Sequence, residues 1–293
     1  LVVGIRQRHG VEARYEYIEY VLYWHGRINR ADLVDTFGIS GSQASTDLQS
    51  YIKRAPDNLR YDTAEKSYLR ASTFSPIFLD LSADNYLGAL MAISAGVLHP
   101  AAAWLHTIPA FHVTPTPARG VRPEILREVV RAVDHKLALH VLYQSMSSPE
   151  PSWRWIEPHA YAFDGFRWHI RALCLKDHAF KDFLLSRILE IETDSQPHVA
   201  TSKADDDLAW SGDVILRIAP HPGLSPGQQT AIRLDYGMAP EGVSEITVKR
   251  SMLYYALKRL GLDTDPSARR PQDQQIVLLN RDEVFSKVNG QVQ

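Results

Sequence analysis

The chain has 293 residues, 45% hydrophobic and 23% charged, an ordinary globular composition long enough for two or three domains. Its net charge of -2 excludes an overall electrostatic bias toward nucleic acid or acidic membranes and leaves only local basic faces for such partners. Cys174 is the sole cysteine, which excludes a disulfide framework and a thiolate zinc cluster; a reducing cytoplasm fits this usage.

The opening "LVVGIRQRHG" is too short for a signal-peptide core. "EARYEYIEYVLYWHG" places Tyr17, Val21 and Trp24 at helical spacing and stops at Gly26. Asn29 is placed to cap "RADLVDTFG", with Leu33 and Phe37 inward and Gly38 as the stop. Ser40 then caps a third helix, and Gln43 three residues on completes a capping-box pattern. Ala44, Leu48, Tyr51 and Ile52 form its inward stripe. After Pro56, "NLRYD-TAEK-SYLRAS" predicts two short strands around a turn.

The outward face of the third helix carries Ser42, Gln43, Ser45, Thr46, Gln49 and Ser50. A helix that only supports a core usually solvates that face with Lys and Glu, which are better helix formers than Ser or Thr. Short uncharged donors and acceptors suit a surface of hydrogen-bonding edges instead. A short helix, a tight turn and a capped second helix make a helix-turn-helix, and the hairpin makes it winged. The second helix of such a motif enters the major groove N-terminus first. Gln can then pair with adenine, and Ser or Thr with several bases. Lys53, Arg54, Arg60 and Lys66 are placed for phosphates. Residues 1–75 hold ten Lys or Arg against nine Asp or Glu, so the local charge does not separate DNA binding from a protein-contact role.

Residues 76–120 form an apolar connector. Asn85 to Ala118 lacks Asp, Glu, Lys and Arg, but Pro100, Pro109, Pro115 and Pro117 divide it, so no membrane span of about 20 residues fits. "NYLGALMAISAGVL" reads as a buried core helix. Residues 121–200 begin with a helix at Pro123 to Lys136 and continue with strand-like segments: Leu139 to Ser145, Trp153 to Ile156, Phe166 to Leu173 and Phe183 to Ile191. With alternating sides, Arg167, His169 and Arg171 share one face, and Trp168, Ile170 and Ala172 the other, Trp168 being expected in the core. Phe183, Leu185 and Arg187 share a face on the later strand, and Tyr143 and Ser145 on the earlier one. Guanidinium groups bind phosphate or carboxylate through paired N–H donors, and His and aromatic faces stack on bases. A polar, acidic stretch, "TSKADDDLAWSGD", precedes a small α+β unit over 210–293, with strands at Val214 to Ala219, Glu245 to Lys249 and Gln275 to Leu279 and helices at Pro226 to Tyr236 and Met252 to Leu260.

"RWHIRALC" with "FKDFLLSRI", preceded by "VLYQS" and "EPHAYAFDG", resembles the WYL domain of bacterial transcriptional regulators. With Trp-His-Ile in place of Trp-Tyr-Leu, it is similar to regulators of anti-phage defence operons of the CapW/BrxR type. The resemblance covers nearly the whole chain and implies a multidomain α+β protein: a winged helix-turn-helix, an Sm-like or SH3-like β-barrel WYL domain and a C-terminal extension domain. With apolar "MLYYALKRLGL", the 210–293 unit is expected to be the dimerisation domain. The resemblance also implies a homodimeric repressor or activator whose WYL domain senses a nucleic-acid or nucleotide-like ligand; we read it as a repressor that binds double-stranded operator DNA. The ligand positions it implies are Tyr143, Ser145, His159, Trp168, His169, Arg171, Phe183 and Arg187.

Enzyme signatures are absent: there is no P-loop, G-x-G-x-x-G, G-x-S-x-G or H-E-x-x-H. His159, His169 and Asp164 leave a metal-dependent nuclease as the alternative, and an accessory module binding another protein as a third. Neither an enzymatic activity nor a cofactor is expected.

Overall fold

The computed structural model describes residues 10–105, 108–115, 117, 119–192 and 198–289. The chain forms two compact units, Leu1–Pro115 and Thr116–Gln293.

In the first unit the helices are α1 (Val11–His25), α2 (Arg30–Phe37), α3 (Gly41–Arg54) and α4 (Ala83–Ser94). Strands β1 (Arg27–Ile28), β2 (Leu59–Asp62) and β3 (Ser67–Arg70) make an antiparallel sheet in the order β1-β3-β2, so the wing has a third strand that the sequence pattern did not reveal. Gly26 closes α1 in the left-handed region (φ 79°), where a side chain would be strained. Asn29 and Asp32 form a complete capping box on α2. On α3 only half of the expected box exists. Ser40 accepts from the Gln43 N–H, but the Gln43 side chain turns along its own helix to Asp47.

Tyr17, Ile18, Val21, Leu22, Ile28, Leu33, Ala44, Leu48 and Tyr51 form the core of this unit. Three charged groups sit within it. Arg14 donates to Asp47 from Nε at 2.6 Å. Glu19 accepts from Tyr51 Oη and from the backbone N–H groups of Ile77, Phe78 and Leu79. The connector helix α4 departs from the expected core helix. Leu90 is buried, Tyr86 packs against Trp24, and Leu87 and Met91 are exposed, because the helix packs along one side only.

The second unit opens with α5 (Pro123–His135) and five strands: β4 (Leu137–Tyr143), β5 (Ser152–Phe163), β6 (Trp168–Cys174), β7 (Ala179–Leu184) and β8 (Ile188–Glu192). They run antiparallel in the order β7-β6-β5-β4-β8, with the short β9 (His198–Val199) on β4. Among the described residues this path is open, so the strands of the expected barrel are present without a closing pair. β5 pairs with β4 through its first half and with β6 through its second. The change falls near Pro158, which has no N–H for the ladder, and a bulge follows at His159. The segment expected as one strand from Phe183 to Ile191 is two strands. A 3-10 turn at Leu185–Arg187 separates them, so Arg187 shares no strand face with Phe183.

Ile125, Val129 and Ala132 of α5 pack on Val141, Tyr143, Ile156, Ile170, Ala172 and Phe183. After α6 (Leu208–Ser211), β10 (Asp213–Pro220), α7 (Pro226–Asp235), β11 (Ser244–Lys249), α8 (Leu253–Arg259), β12 (Ile276–Leu278) and α9 (Arg281–Asn289) build a three-stranded sheet, β11-β10-β12, with its own core of Val214, Leu216, Ile218, Ile232, Leu253, Leu257 and Val284.

Candidate nucleic-acid interface and ligand groove

The stripe of Ala44, Leu48 and Tyr51 buries one side of α3 and turns the other to solvent. Ser42, Gln43, Thr46, Gln49, Lys53 and Arg54 are exposed, while Ser45 and Ser50 are half-buried at the margin. Ser45 and Thr46 donate their hydroxyls to the carbonyls of Gly41 and Ser42 one turn earlier. Gln43 Nε2 donates to Asp47 Oδ1 at 2.9 Å, so this amide is oriented from beneath by the buried Arg14–Asp47 pair. Gln49 Nε2 donates to Tyr68 Oη at 3.2 Å, tying α3 to the wing. No acidic side chain lies in the first turn of α3, whose N–H groups and dipole favour an anion.

The basic residues flank this face. Lys53 and Arg54 close α3, with the Arg54 guanidinium over the Tyr15 and Phe78 rings at 5.2 and 5.9 Å. Arg60 is exposed on β2, and Lys66 holds the wing turn at φ 50°. Tyr61 and Tyr68 were not singled out by sequence. They face each other across β2 and β3 with ring centroids 5.0 Å apart; Tyr61 is exposed, and Tyr68 touches α3 through Gln49. Their signal was the period of two in "LRYD" and "SYLR".

The positions implied for a ligand in the central sheet do not converge. Tyr143 and Phe183 lie on the core face, edge to face at 5.1 Å, and Tyr143 Oη accepts the Leu184 N–H. Both are on the side of Ile170 and Ala172, beneath α5. Ser145 lies beyond the end of β4, bonded to Ser147, and Arg187 sits in the 3-10 turn. On the opposite sheet face His159, His169 and Arg171 are enclosed in a network of carboxylates. Arg171 donates to Asp207 from Nε (2.7 Å) and Nη2 (3.1 Å), and to Asp182 from Nη1 (3.2 Å). The His159 Nε2 atom pairs with Asp207, and His169 Nε2 with Asp164 at 2.9 Å. The guanidinium expected to meet an external anion therefore already has internal ones. The two histidines are held by different carboxylates, so they do not form one site with Asp164.

Burial alone would raise the Asp164 and Asp207 carboxyls. Hydrogen bonds from His169, Arg167 and the backbone at Asp164, and from Arg171, His159 and the backbone at Asp207, hold both below the usual range. At Asp182 burial wins over the pull of Arg171, and its carboxyl is pushed up. Burial would lower the Arg171 guanidinium, but Asp207 and Asp182 reverse this, so it stays charged.

Trp168, expected in the core, is half exposed at 52% because α5 covers only the other end of its sheet face. It packs against Phe163 (centroids 4.9 Å apart), which is 47% exposed, and Phe166 is 60% exposed beside them. With Arg119, Val121 and Arg167 these rings line a groove of about 230 Å³. Arg167 Nε is anchored on Asp164 Oδ2 at 2.9 Å. The turn before it needs Gly165, since its φ of 97° is one that L side chains rarely adopt. Exposed aromatic faces next to guanidinium groups suit a base and its phosphate.

Three family profiles match successive parts of the chain. Residues 10–92 match the BrxR transcriptional regulator winged helix-turn-helix domain, residues 124–193 the WYL domain, and residues 213–284 the BrxR transcriptional regulator C-terminal dimerization domain. The chain is 37% identical over 280 residues to the DNA-binding transcriptional repressor CapW of Stenotrophomonas maltophilia, covering 94% of this chain and 92% of that one. The CapW repressors of Escherichia coli strain KTE188 (36% identical, 95% of this chain, 92% of that one) and Pseudomonas aeruginosa (37%, 94% and 91%) are similar over the same span. No helix among the described residues is long and apolar enough to cross a membrane. The chain belongs to the family of CapW DNA-binding transcriptional repressors, proteins that regulate transcription rather than catalyse a reaction, and it carries that family's winged helix, WYL and C-terminal dimerization domains.

Proposed function

We propose that this protein is a homodimeric, ligand-responsive repressor of a phage-defence operon, reading an inverted-repeat operator and sensing a nucleic-acid or nucleotide-like ligand through its WYL domain. The observation that carries the DNA reading is the uncharged, exposed face of α3, with Gln43 oriented by Asp47 and Gln49 by Tyr68. One winged helix reads a half-site, so two copies read two half-sites separated by a turn or more of DNA. Ser40, Ser42, Gln43, Ser45, Thr46, Gln49 and Ser50 form the reading surface, and Lys53, Arg54, Arg60 and Lys66 bind phosphates.

Gln43→Ala and Gln49→Ala are expected to relax base preference, each by about 1–3 kcal/mol per lost bidentate pair. Lys53→Ala weakens all sequences alike and lowers the salt slope by about 1. Selection from a randomised operator library, repeated at two salt concentrations, separates these effects. Unchanged base preference in both Gln variants removes α3 from the role of reader.

For the ligand, the groove of Phe163, Phe166, Trp168, Arg119 and Arg167 supports uptake better than the core positions Tyr143 and Phe183 do. Base stacking contributes about 1–3 kcal/mol per base. Trp168→Ala should therefore fold and bind operator, yet bind short single-stranded oligonucleotides about tenfold or more weakly and respond poorly in a reporter strain. Normal induction in Trp168→Ala and in Arg167→Ala together would remove the ligand from this groove.

A further inference from the structure

The segment that leaves the central sheet for the C-terminal domain is tied back to that sheet at Thr201 and Ser202 by Glu157 of β5, and beyond them, over 204–211, by Asp207. Asp207 is 1% exposed. Its Oδ2 accepts from Arg171 Nε at 2.7 Å and lies 3.1 Å from His159 Nε2, and its Oδ1 accepts from Arg171 Nη2 at 3.1 Å. Oδ1 also caps α6, accepting the N–H groups of Ala209 and Trp210 at 3.2 and 3.1 Å. Trp210 packs on His159, and the Gly212 carbonyl accepts the Arg250 N–H at 2.8 Å where β10 begins.

A guanidinium presenting two N–H groups to two oxygens is also the geometry that binds phosphate. Here the protein supplies the anion itself. We propose that Asp207 is a built-in occupant of an anion site made by Arg171 and His159, and that a phosphate-bearing ligand takes this site by expelling Asp207, which releases the 204–211 segment from the sheet. This rests on the reading of the WYL domain as a sensor of nucleic-acid or nucleotide-like ligands, and it concerns a site separate from the Trp168 groove, whose lining includes neither Arg171 nor His159.

The exchange has a physical selectivity. Removing a carboxylate from a buried guanidinium without replacement is strongly unfavourable, whereas swapping one anion for another keeps the charge paired. A neutral ligand therefore cannot open the contact, and an anionic one can. Asp182 keeps the third edge of Arg171 in place during the exchange. Expulsion uncaps α6 and frees the lead into β10, the first strand of the dimerization domain. The ligand thus favours a conformation in which that domain is held differently, as differential binding requires.

The test uses the full chain, a fluorescein-labelled single-stranded hexadeoxynucleotide as probe, operator DNA, and hydrogen exchange at the Ala209 and Trp210 amides. Asp207→Asn keeps an oxygen for the α6 cap but loses the charge. It should bind the probe about tenfold more tightly than the unaltered chain and bind operator about tenfold more weakly with no probe present. Its 209 and 210 amides should exchange faster, as should those of the unaltered chain when probe is added. Asp206→Asn, on the exposed neighbour, should change none of these. A folded Asp207→Asn with unaltered operator affinity and probe affinity overturns the proposal, as does tight probe binding to the unaltered chain with the amides still protected. If the probe binds neither protein, the sensor reading fails by itself. The tie is then judged on operator affinity and exchange in Asp207→Asn, where a loss of about tenfold sustains it and no change overturns it. If Asp207→Asn does not fold, Asp207→Ser, which keeps an oxygen for the α6 cap without the charge, takes its place with the same directions, and no shift overturns the proposal.

Discussion

Removing residues 213–293 is expected to yield a monomer in sedimentation and to weaken binding to a full two-half-site operator by about 10²–10⁴-fold. The three-stranded sheet β11-β10-β12 has a core of its own, so its removal takes no strand from the central sheet. Each winged helix stays folded and still meets one half-site, but the second binding event is no longer intramolecular. The loss should therefore appear on the two-half-site operator and be nearly absent on an isolated half-site. Cutting at residue 213 also leaves Asp207 and α6 in place, so the anion contact at Arg171 is not disturbed at the same time. Tyr255 leaves with the domain and uncovers His169. A dimer that survives the cut relocates the interface to the connector or to the WYL domain.

Asp47→Ala has the second large effect, and it acts through stability. Asp47 is buried on the inner side of α3 with Arg14 as its ion partner and Gln43 as a further donor. Removing the carboxylate leaves an uncompensated guanidinium inside the core, which costs about 3–5 kcal/mol. For a unit of this size that corresponds to a fall of at least about 10 °C in its melting temperature. Operator binding should disappear at a temperature where the unaltered protein is saturated. Replacing both partners, as Arg14→Met with Asp47→Leu, should recover most of the stability, since it is the unpaired charge that is costly. The double variant should recover less of the base preference, because Gln43 still lacks the acceptor that orients it. A melting temperature for Asp47→Ala within about 2 °C of the unaltered protein contradicts a structural role for the pair.

The winged helix was the most legible part of the chain, because its signals are local. Gly26, Asn29, Gly38 and Ser40 each mark a helix end by backbone chemistry that needs no distant partner. The inward stripe of α3 was equally visible, but Asp47 on that same stripe was not interpretable, since its partner Arg14 lies 33 residues earlier. The central sheet shows the same limit more strongly. Alternation correctly separated His169 and Arg171 from Ile170 and Ala172. It said nothing about Asp207, which answers Arg171 from 36 residues further on and turns an apparent anion site into an occupied one. Trp168 was misplaced because a hydrophobic residue on the core side of a strand is buried only where something covers that end of the sheet. The strand expected from Phe183 to Ile191 concealed a turn, for "LLSRIL" has the composition of a strand and no Gly or Pro to mark the break.

The carboxylate of Glu19 has a consequence for anyone building chimaeras from this family. It is fully buried, and three of its donors are the N–H groups of Ile77, Phe78 and Leu79, beyond the last strand of the wing. A reading head transplanted with a junction at residue 75 would carry the carboxylate and leave those donors to whatever sequence follows. Backbone N–H groups are available from almost any sequence, but only if the new chain runs in the same direction over α1. Moving the junction past Leu79 transfers the carboxylate and its donors together, so the graft no longer depends on the recipient's connector for a buried charge.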